Sequence, residues 1–206
     1  RGSETADETH FKAAREGLGK DHYLMIDIGT VWLEDVVAAQ KRLKALKEIN
    51  TYWLEEPFAN MALDAYCRLA KSEPRIPLAA GEGCNNFVQA AAMMNHALLN
   101  FVQIDTGRIK GITYVNHTFT SHLALSASLQ PYAGLKDDII CEYPVEPKQL
   151  ALDITSNHIS LNGKGEVITP EMPGLGVEVN IKELKRYLVD TEIYVKGERI
   201  YASPAF

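Results

Sequence analysis

The chain has 206 residues, 46% of them hydrophobic, which is enough to bury a sizeable core. Its formal net charge is -6 and no block of basic residues is present, so we expect no nucleic-acid partner, because phosphate binding needs clustered Lys and Arg. No apolar run is long enough to span a bilayer, and three scattered cysteines predict free thiols, so we expect a cytoplasmic protein without a membrane partner.

Short apolar segments alternate with helical patterns over the first hundred residues. The sequence predicts strands at 22–29, 51–57, 76–82 and 100–105, and helices at 33–49, 62–73 and 85–97. The last of these helices starts after Asn residues that suit an N-cap. This alternation predicts an α/β fold with a parallel sheet and right-handed crossovers.

The pattern changes from about residue 145. We expect two short strands around the "NGKG" turn within 158–170, a short helix at 181–189 and a final hairpin at 191–204. The sequence therefore predicts a catalytic domain over 1–145 and a β-rich tail over 146–206 that packs on another part of the protein.

A polar residue ends each predicted strand, in the order Asp27, Glu55, Glu82, Asp105, His117 and Glu142. Successive members lie 23 to 28 residues apart, except for the 12 between Asp105 and His117, which leave no room for a crossover and a strand. This short interval predicts either a hairpin or a missing helix.

The first three carboxylates of this series predict a metal site. The carboxyl ends of parallel barrel strands meet at one face, so Asp27, Glu55 and Glu82 would converge there. Clustered carboxylates repel unless a cation neutralises them, and oxygen ligands suit Mg²⁺ first and Mn²⁺ second. The alternative is that these are loop carboxylates paired with Lys or Arg.

Six motifs in this order, "MIDIGTVW", "YWLEEPF", "LAAGEG", "VQIDTGR", "YVNHTF" and "CEYPVEP", resemble the barrel domain of the enolase superfamily. The resemblance covers residues 1–180 and is to the mandelate racemase/muconate lactonizing enzyme family, within its mandelate racemase-like group. It implies a partial TIM-type (β/α) barrel with strands three to eight. A capping domain, the first two strands with their base lysine, and the sixth helix would then be absent from the chain.

Further expectations about the architecture follow from this resemblance. The chain would be a fragment of a longer protein, because six strands of an eight-stranded barrel cannot close. Its tail would pack on the barrel and the capping domain. The join left by the sixth helix would lie near Ile109–Lys110, and a true hairpin there would place His117 at the wrong end of the barrel.

The resemblance also implies roles for individual residues. Asp27, Glu55 and Glu82 would bind Mg²⁺, and Glu56 would be their neighbour on the substrate side. His117 would be a general base or acid oriented by Asp105.

Two further positions concern the substrate. Glu142 would donate a proton or hydrogen-bond the substrate, and Arg108 lies where the lactonizing type carries a base lysine. Gly29 departs from the family pattern, because it replaces a residue with an amide side chain.

The implied reaction is Mg²⁺-dependent abstraction of the proton alpha to a carboxylate, through an enediolate. Within the group, dehydration of an acid sugar is the commonest outcome. Racemisation or epimerisation, and cycloisomerisation of a lactone, remain alternatives, as does a non-catalytic structural derivative. We expect a small carboxylate substrate, an acid sugar or hydroxy acid, and a homo-oligomeric protein.

Overall fold

The computed structural model describes residues 4–103, 113–118, 120–134 and 140–203. Contacts between residues group the chain into two units. The first runs to His117 and includes Ile140, and the second contains the remaining described residues, from Thr118 onward.

The first unit contains one parallel sheet and four helices. Its elements are α1 (Glu4–Leu18), β1 (Leu24–Asp27), α2 (Val36–Glu48), β2 (Thr51–Glu55), α3 (Leu63–Ser72), β3 (Leu78–Ala80), α4 (Phe87–His96), β4 (Phe101–Val102) and β5 (Thr113–Tyr114). The strands pair in the order β1-β2-β3-β4-β5, and every pair is parallel. The predicted fold class of alternating strands and helices around a parallel sheet is confirmed.

Alternate residues of these strands face two different apolar clusters. Leu54 and Val102, both fully buried, pack with the helices in the larger cluster. Trp53, Ala79 and Val115 form a smaller cluster on the other face of the sheet, and Phe101 packs against it. Because side chains alternate along a strand, the residue two positions after a member of this smaller cluster lies on the same face.

Two helices of this unit, α2 and α4, start where a side chain caps the first turn. The carboxylate of Asp35 accepts a hydrogen bond from the Ala38 N–H at 2.9 Å, and the amide oxygen of Asn86 accepts one from the Gln89 N–H at 3.0 Å. Each bond satisfies a backbone donor that the helix itself leaves unpaired. The predicted Asn cap of α4 is therefore confirmed.

A buried arginine joins the first two helices. Arg42 of α2 is 7% exposed, and its guanidinium donates to the Asp7 carboxylate of α1 at 2.9 and 3.1 Å. The same guanidinium lies 5.8 Å from the centre of the Trp32 ring. A buried charge needs such partners, because the desolvated guanidinium is otherwise strongly destabilising.

Strands β4 and β5 are parallel neighbours, with Phe101 opposite Thr113 and Val102 opposite Tyr114. The hairpin alternative is therefore wrong, since a hairpin makes its two strands antiparallel. The expected join near Ile109–Lys110 lies outside the described residues.

The second unit has short elements. These are α5 (His122–Leu129), α6 (Gln149–Asp153), α7 (Ile181–Leu184), β6 (Glu192–Val195) and β7 (Glu198–Ala202), with 3₁₀ turns at Gln130–Gly134 and Lys185–Tyr187. The predicted final hairpin is confirmed by antiparallel pairing of β6 with β7. The predicted short helix after residue 180 is present as α7 and the turn that follows it.

The two short strands predicted around "NGKG" are not formed as a ladder. Around "NGKG" only an isolated antiparallel bridge joins Leu161 to Val167. The Asn162 side chain accepts hydrogen bonds from the N–H groups of Lys164 and Glu166, and this local pairing replaces a longer ladder. Residues 140–144, which include Glu142, are not in a strand, and the residues just before them, where a strand ending at Glu142 was expected, lie outside the described residues.

Two further predictions concern membrane-spanning segments and disulfide bonds. No helix in the described ranges combines the length and apolar character that crossing a membrane requires. The predicted free thiols are confirmed, because Cys67, Cys84 and Cys141 are half-buried and none is in a disulfide.

Candidate metal centre

Two carboxylates and an imidazole meet at the carboxyl edge of the parallel sheet. Glu55 is the last residue of β2, Glu82 follows β3 by two residues, and His117 follows β5 by three. One ligand atom from each of these side chains lies within 4.8 Å of the other two. Such a spacing allows a single metal ion to contact all three.

The loop after β3 holds Glu82 in this position. Gly81 has a φ of 126°, a conformation that side-chain-bearing residues rarely adopt, and the N–H of Cys84 donates to its carbonyl at 3.0 Å. The amide of Asn60 donates to the Gly83 carbonyl at 2.6 Å. The loop therefore follows a tight, hydrogen-bonded path from the sheet.

Burial and mutual repulsion act on the carboxylate of Glu55. Burial raises the pKa of this group most, and the charges of Asp27 and Glu82 raise it further. Hydrogen bonds from Gln103 and Trp53 act in the opposite direction. The net result is a raised pKa, and a cation bound beside Glu55 would favour its ionised form.

Glu56 experiences the same environment more strongly. Burial, followed by the charges of Glu82, Asp27 and Glu55, raises the pKa of Glu56 from 4.5 to about 7, while His117 lowers it. The side chain is 8% exposed, and its backbone is in the left-handed region with a φ of 40°. This residue is therefore held beside the predicted ligands as a carboxyl group that is only partly ionised at neutral pH.

His117 contacts Glu82 directly. Its Nδ1 lies 2.8 Å from a carboxylate oxygen of Glu82, with both side chains about a quarter exposed. The predicted orienting residue, Asp105, lies outside the described residues, and so does Arg108. The carboxylate that the structure places beside the imidazole is that of Glu82, in the loop after β3.

Asp27 is near this group but is not one of the three. It ends β1, is exposed, and its carboxylate accepts a hydrogen bond from the Gly29 N–H at 2.8 Å. Its charge still raises the pKa values of Glu55 and Glu56. Its role as a third ligand stays a prediction.

Glu142 belongs to the second unit. Its carboxylate accepts a hydrogen bond from the Thr118 N–H at 2.8 Å, and its charge contributes to raising the pKa of the Cys141 thiol to about 11, after burial. Its predicted role toward the substrate stays a prediction.

The donor set fits a hard divalent cation. Carboxylate oxygens suit Mg²⁺ and Mn²⁺, and an imidazole nitrogen is also acceptable to Mn²⁺. Burial is the largest cause of the raised pKa values of Glu55 and Glu56, and neighbouring carboxylates raise both further, so a cation at this point would stabilise their ionised forms.

Sequence reasoning missed two residues that bind Glu55. Trp53 Nε1 donates to one carboxylate oxygen at 3.0 Å, and Gln103 Nε2 donates to the other at 2.7 Å. The two-residue spacing of Trp53 and Glu55 on one strand was a signal for the first contact. The contact between Gln103 and Glu55 depends on the order of the strands in the sheet, which the sequence does not give directly.

Comparisons with known proteins agree with this architecture. A family model described as enolase C-terminal domain-like matches residues 2–184. A solved structure from Rhodobacter sphaeroides, described as a predicted mandelate racemase, is 50% identical with a TM-score of 0.87, and the match covers 100% of this chain and 56% of that chain.

Curated relatives carry different activities in their names. A D-galactonate dehydratase family member of Oceanicola granulosus is 30% identical over 195 residues, covering 85% of this chain and 46% of the relative. D-galactarolactone cycloisomerase of Agrobacterium fabrum is 26% identical over 199 residues, covering 85% and 51%. The chain spans about half the length of the curated relatives it matches. On the extent of the family match, the chain belongs to the enolase C-terminal domain-like family.

Proposed function

We propose that the intact protein catalyses Mg²⁺-dependent abstraction of the proton alpha to a carboxylate, with dehydration of an acid sugar as the outcome. The observation that carries this proposal is the meeting of Glu55, Glu82 and His117 within 4.8 Å at the carboxyl edge of a parallel sheet. Membership of the family and the names of the curated relatives support it.

In this proposal Asp27, Glu55 and Glu82 hold the ion. Bound Mg²⁺ would supply positive charge that stabilises the enediolate left when the proton is removed. Glu56, whose pKa in the metal-free protein is raised to about 7 by burial and by the neighbouring carboxylates, would lie beside the substrate and contact it.

His117 is the proposed base. A histidine has an ordinary pKa near neutrality, so it can accept a proton at physiological pH. Because Nδ1 lies against Glu82, Nε2 is the atom we assign to proton transfer. Asp105 remains the proposed orienting residue when substrate is bound, and Arg108 a proposed substrate contact.

Dehydration then requires a proton for the leaving hydroxyl. His117, protonated in the first step, or Glu142 would deliver it, so that the β-hydroxyl departs as water. Racemisation is the second candidate, favoured by the 50% identity to the Rhodobacter sphaeroides protein described as a predicted mandelate racemase. Cycloisomerisation, the activity named for the Agrobacterium fabrum relative, would use the same first step.

The proposal is tested by incubating the intact protein and Mg²⁺ with a panel of acid sugars in D₂O. Formation of a 2-keto-3-deoxy acid would support dehydration, whereas deuterium uptake without elimination would support racemisation. We expect His117→Asn to abolish both signals. If neither signal appears with any acid sugar or hydroxy acid, the non-catalytic alternative holds instead.

Metal binding is tested separately, by thermal unfolding of the intact protein with and without Mg²⁺. A ligand at 100 times its Kd stabilises the folded state by about 2.7 kcal/mol. We expect this gain for the wild type and for Glu48→Gln, a half-exposed control on α2, and its loss in Glu82→Gln. Equal gains in all three proteins would refute the proposed ligand set.

Two properties of the intact protein complete the proposal. We expect a cytoplasmic location and a homo-oligomer, on the likeness to the family. Sedimentation of the intact protein tests the second property, and a single species at the monomer mass would contradict it.

A further inference from the structure

The Glu55 carboxylate receives one hydrogen bond on each oxygen, from two different strands. Trp53, two residues earlier on β2, donates its Nε1–H to Oε2 at 3.0 Å. Gln103, directly after β4, donates from Nε2 to Oε1 at 2.7 Å. The strands that carry Glu55 and Gln103 are separated in the sheet by β3, so the second bond crosses that strand.

These two bonds fix the plane of the carboxylate. A carboxylate oxygen has two lone-pair directions, and one donor on each oxygen leaves one direction on each for another ligand. Free rotation of the side chain would break one or both bonds. The lone pairs that remain are therefore held in one orientation beside Glu82 and His117.

The backbone of Gln103 is anchored independently of its side chain. Its N–H donates to the Ala80 carbonyl at 3.1 Å, which continues the pairing of β4 with β3. Phe101, two residues earlier, packs against the cluster that contains Trp53. Gln103 therefore lies on the same face of the sheet as Glu55, and its position follows from strand register.

The side chain of Gln103 is poorly explained by stability alone. It is 7% exposed, and within the described part of the chain its Oε1 is buried without a hydrogen-bond donor. A buried carbonyl oxygen without a donor destabilises a fold, and an apolar side chain of the same length avoids that cost. The bond to Glu55 is the contribution that an apolar residue cannot replace.

We propose that Gln103 and Trp53 are positioning residues that hold the Glu55 carboxylate in the orientation required to bind the divalent cation. This inference rests on the proposed function, because it takes Glu55 to be a metal ligand. It assigns roles to two residues outside the predicted ligand set. Outer residues that orient metal ligands characteristically affect metal affinity by 10- to 100-fold.

The test is Mg²⁺ and Mn²⁺ binding to the intact protein, measured by calorimetry. Gln103→Met keeps the length and volume of the side chain but removes the donor. We expect its Kd for either ion to rise by about tenfold or more. Without metal, we expect its thermal midpoint to stay within a few degrees of the wild type, because the unpaired Oε1 is removed together with the hydrogen bond.

Gln149→Met is the matched control. Gln149 Nε2 donates to the Asp153 carboxylate at 2.8 Å on the exposed surface of the second unit, so the substitution removes the same type of bond elsewhere. We expect its metal affinity to equal that of the wild type. Trp53→Phe keeps the packing of an aromatic ring while removing the other donor, and we expect it to weaken metal binding and to alter the electron paramagnetic resonance spectrum of bound Mn²⁺.

The outcomes separate this inference from the proposed function. If the wild type binds neither ion, the proposed metal site fails, and the inference fails with it. If the wild type binds but Gln103→Met and Trp53→Phe bind equally well, the inference is overturned while the metal site stands. If Gln103→Met loses metal affinity only in proportion to a large loss of metal-free stability, its role is structural and the inference is likewise overturned.

Discussion

Replacing Glu56 with glutamine tests whether the carboxylate cluster carries repulsion that destabilises the metal-free fold. The substitution keeps the shape of a side chain that is 8% exposed and removes its charge. Burial, and then the charges of Glu82, Asp27 and Glu55, raises the pKa of Glu56 from 4.5 to about 7. Between these two pH values the folded state binds more protons than the unfolded chain, so the free energy of unfolding falls as the pH rises through this window.

The size of this effect follows from the shift. At about 1.4 kcal/mol per pH unit, the change from 4.5 to about 7 corresponds to about 3 kcal/mol at most. The neighbouring Glu82 and Asp27 carboxylates are exposed to water, which screens the repulsion. We therefore expect Glu56→Gln to stabilise the metal-free protein by about 1 to 2 kcal/mol above pH 7, and by nothing below pH 4.5.

Tryptophan fluorescence during urea unfolding measures this change in unfolding free energy. It reports on the first unit, which contains Glu56, because both tryptophans, Trp32 and Trp53, belong to that unit. The titration is run in EDTA at pH 4 and pH 8, with Glu48→Gln as an exposed control. Adding Mg²⁺ should reduce the pH dependence of the wild type, since the cation offsets the repulsion. Equal stability of Glu56→Gln and the wild type at pH 8 would refute the argument.

Two other predictions concern ion pairs of the first unit. Asp7→Asn removes the closest carboxylate from the buried Arg42 guanidinium and leaves the Glu4 carboxylate 3.7 Å away, and we expect a loss of about 2 kcal/mol in urea unfolding, because a buried charge with weaker pairing is costly. Asp64→Asn, at an exposed pair, should cost less than about 1 kcal/mol, and equal losses would contradict the role of burial. Glu73 has a pKa lowered to about 2 by Arg75 and then Lys47, so the stability it contributes is present above pH 4.5 and lost as the pH falls toward 2. In a pH series of thermal midpoints, Glu73→Gln should lose less stability than the wild type between pH 4.5 and 2. An equal loss in both proteins would contradict this role of Glu73.

The order of strands and the convergence of their ends were predictable from the sequence. Glu55 and Glu82 each follow a short apolar segment, and parallel pairing brings the carboxyl ends of neighbouring strands to one edge whatever the details of packing. The same reasoning placed His117 beside them and required β5 to be parallel to β4, as the structure has it.

Individual side-chain partners were not predictable in the same way. The bond between Gln103 and Glu55 joins residues 48 positions apart and depends on the register of three strands. The contact between His117 and Glu82 was not predicted either, although both side chains project from the ends of strands on one face. The predicted contact of His117 with Asp105 stays a prediction, because Asp105 lies outside the described residues. In the second unit, the Asn162 side chain accepts hydrogen bonds from nearby backbone N–H groups, where a longer strand ladder was predicted. The alternation of apolar residues predicts strands but does not predict such local hydrogen bonds.

Three packed aromatic rings lie next to the candidate metal site and contribute to the burial of the Glu55 carboxylate. We call Tyr52, Trp53 and Phe101 the aromatic floor, since their rings contact one another with centroids 4.8 to 5.6 Å apart. Trp53 and Phe101 each lie two residues before a polar residue of the site, Glu55 and Gln103 respectively. The floor therefore excludes water from below the carboxylate, and burial is the largest cause of its raised pKa.

Phe101→Ala tests this connection. Removing the ring opens a space beside Trp53, and we expect the unfolding free energy to fall by about 2 kcal/mol, less than the roughly 3 to 5 kcal/mol of a fully buried Phe, because Phe101 is half-buried. Water entering that space should bring the pKa of Glu55 back toward its ordinary value, measured from the ¹³C carboxyl resonance in a pH series without metal. Tyr23→Ala is the control, because Tyr23 is 62% exposed and stacks on Tyr52 at 4.3 Å, at the outer margin of the floor. If Glu55 titrates at the same pH in Phe101→Ala as in the wild type, the floor is not what keeps the carboxylate dry, and the raised pKa must come from the neighbouring charges instead.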